Sequence, residues 1–99
     1  MAAYVIAHLT VNDWERYRLY GAGFFGPLEQ HCGKVLMAED HLEVVEGSPT
    51  PGRHVILEFE DRDAARAWYY SPGYQEVAQH RFAASTAHFV GIGTAFTQP

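Results

Sequence analysis

Two stretches of this 99-residue chain are apolar at both odd and even positions, and this restricts the fold more than any other feature. The segments Tyr4–Val11 and His54–Phe59 are rich in β-branched and aromatic residues and predict β-strands. Because successive side chains of a strand point to opposite faces, a strand that is apolar in both phases is covered on both faces. A domain of this length has helices for one face only, so we expect a second chain to cover the other.

A helix is predicted from residue 14 to about residue 31. Asn12-Asp13 offers an N-cap, and apolar side chains recur at spacings of three and four from Trp14 to Leu28. Gly26-Pro27 lies inside this helix and predicts a kink or break, because proline lacks the N–H that an interior turn needs. Gly33 fits the C′ position, where helices often end in a left-handed residue.

The rest of the chain predicts two short strand segments, two further helices and a last strand. Asp61 caps a helix over residues 63–70, and Ser71-Pro72 places serine at the N-cap and proline at the first position of a helix that reaches about residue 85. The predicted strand segments are Lys34–Ala38, Leu42–Glu46 and Ala87–Ala95.

This order, β-α-β-β-α-β, predicts an α+β fold of the split βαβ, ferredoxin-like class, as a single domain over residues 1–99. Its antiparallel sheet has the order 4-1-3-2, with both helices on one face. Face-to-face dimerisation then buries the open face of the sheet. The expected partner is therefore a second copy of the same chain.

Charge and composition exclude several classes of function. The net charge is −5, and no cluster of Lys or Arg offsets it, so we expect neither nucleic-acid nor membrane binding. The N-terminus lacks a basic region followed by a long apolar run, and we expect a cytoplasmic protein. The single cysteine, Cys32, cannot form an internal disulfide. The sequence calls for no cofactor.

One longer motif and several single residues carry a resemblance that spans nearly the whole chain. The motif is AxAWYxSPxYQ, over Ala65–Gln75. The other positions are Tyr4–Val11, Asp13, Tyr17, Tyr20, Gly33, Glu46-Gly47, Arg53, Glu58-Phe59 and Arg81. In these features the chain closely resembles the domain-of-unknown-function family 1330 (DUF1330), a member of the dimeric α/β-barrel superfamily.

The resemblance implies a ferredoxin-like protomer and a dimer in which two sheets pack into a barrel. It implies no reaction, because the superfamily includes cofactor-free monooxygenases, haem-degrading enzymes, chlorite dismutases, lactone isomerases and ligand-binding regulators. This chain departs from the family pattern in its glycine-rich first helix and in extra histidines at positions 8, 31, 54 and 88. Both departures fall where a pocket would lie.

Three histidines form the first candidate site. In the predicted strand order, His8, His54 and His88 fall at the same end of the sheet. Three imidazoles can bind Zn²⁺ or Fe²⁺ with one position open, although the spacing contains no local metal motif. Alternatively, one of them, His8 above all, acts as a general base near neutral pH, or the three are ordinary sheet histidines.

Aromatic and polar side chains on the helices form the second candidate. Those expected between the helices and the sheet are Tyr17, Tyr20, Trp68, Tyr74 and Arg81. They would give an apolar pocket in which hydroxyl groups and one guanidinium orient an anionic or carbonyl-bearing ligand. The alternative is that the aromatic residues only pack the core and that Arg81 pairs with a carboxylate such as Glu58.

Two other patterns carry no function. Cys32 follows His31 directly, but adjacent side chains of a helix point in different directions, so we expect an inert cysteine. Gly21, Gly23 and Gly26 have the spacing of a dinucleotide-binding motif, but they lie within a helix rather than at a strand-to-helix turn.

Two functions therefore remain open. The first is a cofactor-free enzyme, similar to a monooxygenase or an isomerase, that acts on a small oxygenated metabolite. Arg81 and a tyrosine would orient this metabolite, and a histidine such as His8 would move a proton. The second is a non-catalytic dimeric module that binds a small ligand or another protein.

Overall fold

The computed structural model describes residues 1–97 and has the predicted order of elements, including the predicted division of the second helical region into two helices. The strands are β1 (Ala3–Val11), β2 (Lys34–Glu39), β3 (Arg53–Phe59) and β4 (Ser85–Thr94). The helices are α1 (Trp14–Gln30), α2 (Arg62–Tyr69) and α3 (Pro72–Ala84). Residues 98 and 99 of the predicted 1–99 domain lie outside the described residues.

The four strands form one antiparallel sheet in the order β2-β3-β1-β4, which confirms the predicted order and the α+β ferredoxin-like class. One face of the sheet packs against the helices, and β1 contributes Val5, Ala7 and Leu9 to this core. The alternate residues of β1 lie on the other, open face, where Ile6 is 43% exposed. The core therefore lies on the helix side of the sheet.

Each helix begins at a side chain that accepts a hydrogen bond from the backbone N–H three residues later, as the sequence predicts. These N-caps are Asp13, Asp61 and Ser71. Pro72 occupies the first turn of α3, where its missing N–H leaves no interior hydrogen bond unmade. None of the helices described within residues 1–97 is long and apolar enough to cross a membrane.

The break predicted at Gly26-Pro27 is wrong, because α1 continues through Pro27 to Gln30. Pro27 lies in the last turn, so it removes only one hydrogen bond, the one that an N–H would donate to the Gly23 carbonyl. The fully buried Leu28 anchors this turn in the core. Tertiary packing thus outweighs the local cost of the proline.

The C-terminus of α1 differs from the prediction by one residue. Cys32, not Gly33, occupies the C′ position with a φ of 56°. Its N–H donates to the Glu29 carbonyl and that of Gly33 to the Leu28 carbonyl, which is a Schellman motif. Glycine is required at position 33 for space, since a Cβ there would lie 2.5 Å from Leu28 Cδ1.

The strand segment predicted over Leu42–Glu46 is also wrong, because residues 42–46 belong to no strand. The pairing of β2 with β3 ends where Glu39 faces His54, next to Arg53, the first residue of β3. Beyond that point the neighbouring strand offers no backbone with which residues 42–46 can pair. Val45 is accordingly 86% exposed.

Candidate functional site

A cavity of about 160 Å³ lies between α1 and the helix-facing side of the sheet. It is mainly apolar, with β1 and β3 as its floor and α1 as one wall. The predicted ligand-binding residues all line it: Tyr17, Tyr20, Trp68, Tyr74 and Arg81. The structure thus brings this whole group together around open volume, although it does not by itself assign them a ligand.

Glycine on α1 leaves room for this cavity. Gly21 lines it, and a Cβ built at that position meets no atom of another part of the protein within 4 Å. Gly23 has a different role, because its Cβ would lie 2.9 Å from Val77 Cγ2 on α3. The glycines that weaken α1 locally therefore open the cavity at one position and allow close helix packing at another.

Two buried phenols face each other in the cavity wall. The hydroxyl oxygens of Tyr20 and Tyr74 are 2.9 Å apart and share a hydrogen bond. Burial, followed by the neighbouring Tyr74, raises the pKa of Tyr20 well above its usual value of 10. Tyr20 is therefore a neutral hydrogen-bonding group throughout the physiological range. It can orient an oxygen of a ligand, but it is a poor base.

Arg81 places a positive charge beside these phenols and is only 4% exposed. Its guanidinium carbon lies 4.8 Å from the ring centre of Phe82 and 5.9 Å from that of Tyr20. Burial acts to lower the pKa of Arg81, but the phenols of Tyr74 and Tyr20 raise it, and the net direction is upward. Arg81 therefore stays charged inside the cavity wall.

The predicted pairing of Arg81 with Glu58 is wrong. Glu58 faces Tyr4 across the β1–β3 pair, in the phase of the open face, whereas Arg81 lies on the helix side. Within residues 1–97 the carboxylate ion pairs of arginine are Arg53–Asp40 and Arg66–Asp63. The buried guanidinium thus has no carboxylate partner in the part of the chain that the structure describes.

A second arginine at the cavity, Arg53, is missing from the sequence-predicted site. It begins β3 in phase with Val55 and Leu57, and all three line the cavity. Asp40 holds it through two hydrogen bonds, from Nε to Oδ1 at 2.8 Å and from Nη2 to Oδ2 at 2.9 Å. An arginine in phase with the apolar, helix-facing positions of a strand is the signal that points to it.

His8 does not line this cavity. Its neighbours Ala7 and Leu9 do, so the side chain of His8 points to the open face of the sheet. The predicted site that combined His8 with Arg81 is therefore divided by the sheet. A proton-transfer role for His8 would belong to a different site from the one that Arg81 lines.

The three candidate histidines do come together, as predicted, on the open face. The ring of His8 stacks on His54 with centroids 4.1 Å apart, and its centroid lies 4.5 Å from that of His88. A β-bulge in β4 brings in the third ring. His8 pairs with Phe89 and Leu9 pairs with Ala87, so His88 is the extra residue between these two pairs. Among residues 1–97 no group of three or more His, Cys, Asp or Glu side chains is arranged to hold a metal ion.

Comparison with known proteins identifies the family. The family model described as domain of unknown function (DUF1330) matches residues 2–94. The chain belongs to this family. The resemblance found in the sequence is thereby confirmed, and a comparison with curated proteins gives no match.

Solved structures similar to this DUF1330 protein have the same fold. A protein of unknown function from Rhodopseudomonas palustris is 17% identical, with a TM-score of 0.80 over 98% of this chain and 84% of that chain. A dimeric ferredoxin-like protein of unknown function from Jannaschia sp. CCS1 is 13% identical, with a TM-score of 0.72 over 96% and 100%.

A third similar structure has a described activity. SnoaB, a cofactor-independent oxygenase from Streptomyces nogalater, is 18% identical to the DUF1330 protein, with a TM-score of 0.66 over 98% of this chain and 95% of that chain. At this level of identity the likeness extends to the fold alone.

Proposed function

We propose that this protein binds a small, largely apolar metabolite with an anionic oxygen in the cavity beneath α1. The observation that carries this proposal is the buried guanidinium of Arg81, which has no carboxylate partner among residues 1–97. An uncompensated buried charge is costly to a folded protein, so its presence beside open volume favours a ligand of opposite charge. The Tyr20 and Tyr74 hydroxyls share one hydrogen bond, which leaves one O–H to donate to the same oxygen.

The volume of the cavity limits the ligand. An engineered protein cavity of about 150 Å³ accepts benzene, and this cavity of about 160 Å³ therefore accommodates one ring with small substituents. The indole nitrogen of Trp68, a cavity-lining residue, is a buried donor without a hydrogen-bond partner among residues 1–97. It supports the proposal because buried donors are normally satisfied.

Benzoate and benzamide test this proposal, because the two probes share a shape but only benzoate carries a negative charge. We expect benzoate to raise the melting temperature in a concentration-dependent manner and benzamide to have little effect. Arg81→Met should abolish the response to benzoate, whereas Arg18→Met, at an exposed position of α1, should retain it. Gly21→Leu should also abolish it by filling the cavity. Equal binding of benzamide and benzoate would contradict the proposal.

A second candidate function is a cofactor-free enzyme acting on the same kind of ligand, which the fold shared with SnoaB favours. Among the described residues that line the cavity there is no His, Asp, Glu or Cys. Catalysis would therefore rest on Arg81 and a phenol stabilising an enolate oxygen, with hydroxide or water from the solvent, rather than a protein base, accepting the α-proton. His8, which the sequence nominated for proton transfer, lies on the other face.

Hydrogen–deuterium exchange separates the enzyme from the binding module. Acetophenone has one ring and forms an enolate only slowly, and its α-proton exchange in D₂O is measured by NMR. An enzyme of this kind would accelerate exchange, and Arg81→Met would remove the acceleration. Binding of benzoate without faster exchange of acetophenone would favour the non-catalytic module.

We also infer a homodimer formed through the open face of the sheet. Ile6 and Phe89 are 43% and 51% exposed on this face, beside the three histidines. A similar protein from Jannaschia sp. CCS1 is described as dimeric, which supports the inference. Sedimentation should give about twice the single-chain mass of 11.1 kDa, and Ile6→Asp should reduce it to one chain. The mass of a single chain at micromolar concentration would contradict the dimer.

A further inference from the structure

Arg53 lies at the cavity in a more exposed setting than Arg81. The side chains of Arg53 and Asp40 are 25% and 38% exposed, and the guanidinium meets the carboxylate in a bidentate pair. This geometry fixes the plane of the guanidinium and satisfies two of its five N–H groups. The other three N–H groups of Arg53, two on Nη1 and one on Nη2, are left for the neighbouring Tyr17 phenol and for a ligand.

A series of neighbouring aromatic rings connects this guanidinium with the buried one of Arg81. The guanidinium carbon of Arg53 lies 5.3 Å from the ring centre of Trp14 and 5.5 Å from that of Tyr17. Tyr17 is in turn 5.3 Å from Tyr20, whose ring is 5.9 Å from Arg81. The two arginines thus flank a pair of neighbouring tyrosines, and a one-ring ligand along that pair has a guanidinium near each end.

The two ends of the cavity differ in charge. Asp40 cancels the charge of Arg53, and the Arg53 guanidinium holds the pKa of that carboxyl below its usual value, so the pair stays ionised near neutral pH. Arg81 has no such partner among residues 1–97. The cavity therefore carries one uncompensated positive charge beside Arg81. Beside Arg53 it offers N–H donors that belong to an ion pair with no net charge.

The geometry points to a monoanionic, single-ring ligand that carries a second, uncharged oxygen, such as a ring hydroxy acid or oxo acid. Its carboxylate or enolate lies at Arg81, and its hydroxyl or carbonyl oxygen lies at Arg53. Arg53 is then a specificity-determining residue, and Asp40 is a positioning residue that also excludes a second negative charge. This inference rests on the proposed function of the cavity.

Three probes distinguish the possibilities: benzoate, 4-hydroxybenzoate and terephthalate, which adds a second carboxylate at the same ring position. Affinities are measured by titration calorimetry at neutral pH on the wild-type protein. We expect 4-hydroxybenzoate to bind about fivefold to tenfold more tightly than benzoate, the effect of one added hydrogen bond. Terephthalate should bind more weakly than benzoate, because its second carboxylate loses its hydration and finds no net positive charge at the neutral Arg53–Asp40 pair.

Substitutions at the pair then change this order. Asp40→Asn leaves Arg53 uncompensated and should raise the affinity for terephthalate relative to benzoate by about tenfold or more. Asp63→Asn is the matched control, because Asp63 also pairs with an arginine but is exposed on α2, away from the cavity. It should leave the ratio unchanged. Arg53→Met should make 4-hydroxybenzoate and benzoate bind equally.

The outcomes separate this inference from the proposed function. Absence of benzoate binding to the wild-type protein would overturn both. Arg81-dependent benzoate binding would sustain the proposed function, yet the inference would fail if terephthalate were the tightest wild-type ligand. It would fail equally if Asp40→Asn and Asp63→Asn gave the same ratio of affinities.

Discussion

Replacing Arg81 with methionine separates what this residue contributes to ligand binding from what it costs the fold. Arg81 is 4% exposed, and no carboxylate among residues 1–97 forms an ion pair with it. Removing such an ion from water costs several kcal/mol. The guanidinium recovers part of this from the Tyr74 phenol and from the rings of Phe82 and Tyr20, at about 0.5–2 kcal/mol for each ring contact.

Methionine keeps a flexible, unbranched chain in the same place and has no charge to desolvate. The balance of these terms favours the variant, and we expect Arg81→Met to raise the free energy of unfolding by about 1–2 kcal/mol. For a domain of this size each kcal/mol corresponds to a rise in Tm of about 4–8 °C. The same variant should lose its response to benzoate, so that stability and binding change in opposite directions.

Urea denaturation without added carboxylate measures this change. Protein concentration is held constant, because the apparent stability of a dimer depends on it. The exposed Arg18 supplies the control, and Arg18→Met should change the free energy of unfolding by no more than about 0.5 kcal/mol. A loss of about 2 kcal/mol or more in Arg81→Met would mean that the guanidinium stabilises the fold, and the argument from an uncompensated charge would be refuted.

Four other variants test the helix geometry and the buried phenol. In Gly21→Ala the new Cβ meets open space, and the free energy of unfolding should rise by about 0.5–1 kcal/mol. In Gly23→Ala the Cβ lies 2.9 Å from Val77 Cγ2, and the free energy of unfolding should fall by about 1–3 kcal/mol. Equal effects of the two substitutions in urea denaturation would contradict this. Cys32→Gly removes a side chain from a residue with a φ of 56° and should raise stability by about 1 kcal/mol; a lower Tm would disprove the strain. Because the pKa of Tyr20 is raised in the folded chain, stability should fall as the pH rises above 10, where only the unfolded chain loses this proton. Tyr20→Phe should reduce that slope by up to about 1.4 kcal/mol per pH unit, and an unchanged slope would argue against a buried neutral phenol.

The predictions that succeeded depend on short-range chemistry and on strand periodicity. Asp61 and Ser71 mark helix starts because their side chains accept hydrogen bonds from free N–H groups of the first turn. This signal needs no tertiary context. The stretch Tyr4–Val11 predicts a strand covered on both faces, and the helices do cover one of them; the strand order also places three histidines together. The aromatic residues and Arg81 are likewise found around one volume.

The predictions that failed required knowledge of what packs against a segment. Pro27 lies inside a helix because the buried Leu28 stabilises the turn that the proline weakens. Residues 42–46 have strand-like composition but no neighbouring strand with which to pair. Arg53 appears in the sequence as one charged residue at the start of a strand. Only its side-chain contacts with Asp40 and the aromatic rings show its place at the cavity.

The alternation of side chains in β3 assigns consecutive residues to different surfaces, with Arg53 at the cavity and His54 on the open face. A substitution at position 53 therefore changes the cavity and leaves the open face unchanged, and a substitution at position 54 does the reverse. A deletion of one residue within β3 has the opposite consequence, because it would exchange the two faces for every residue that follows. The irregular loop at residues 40–52 can absorb a change in length, and β3 itself cannot.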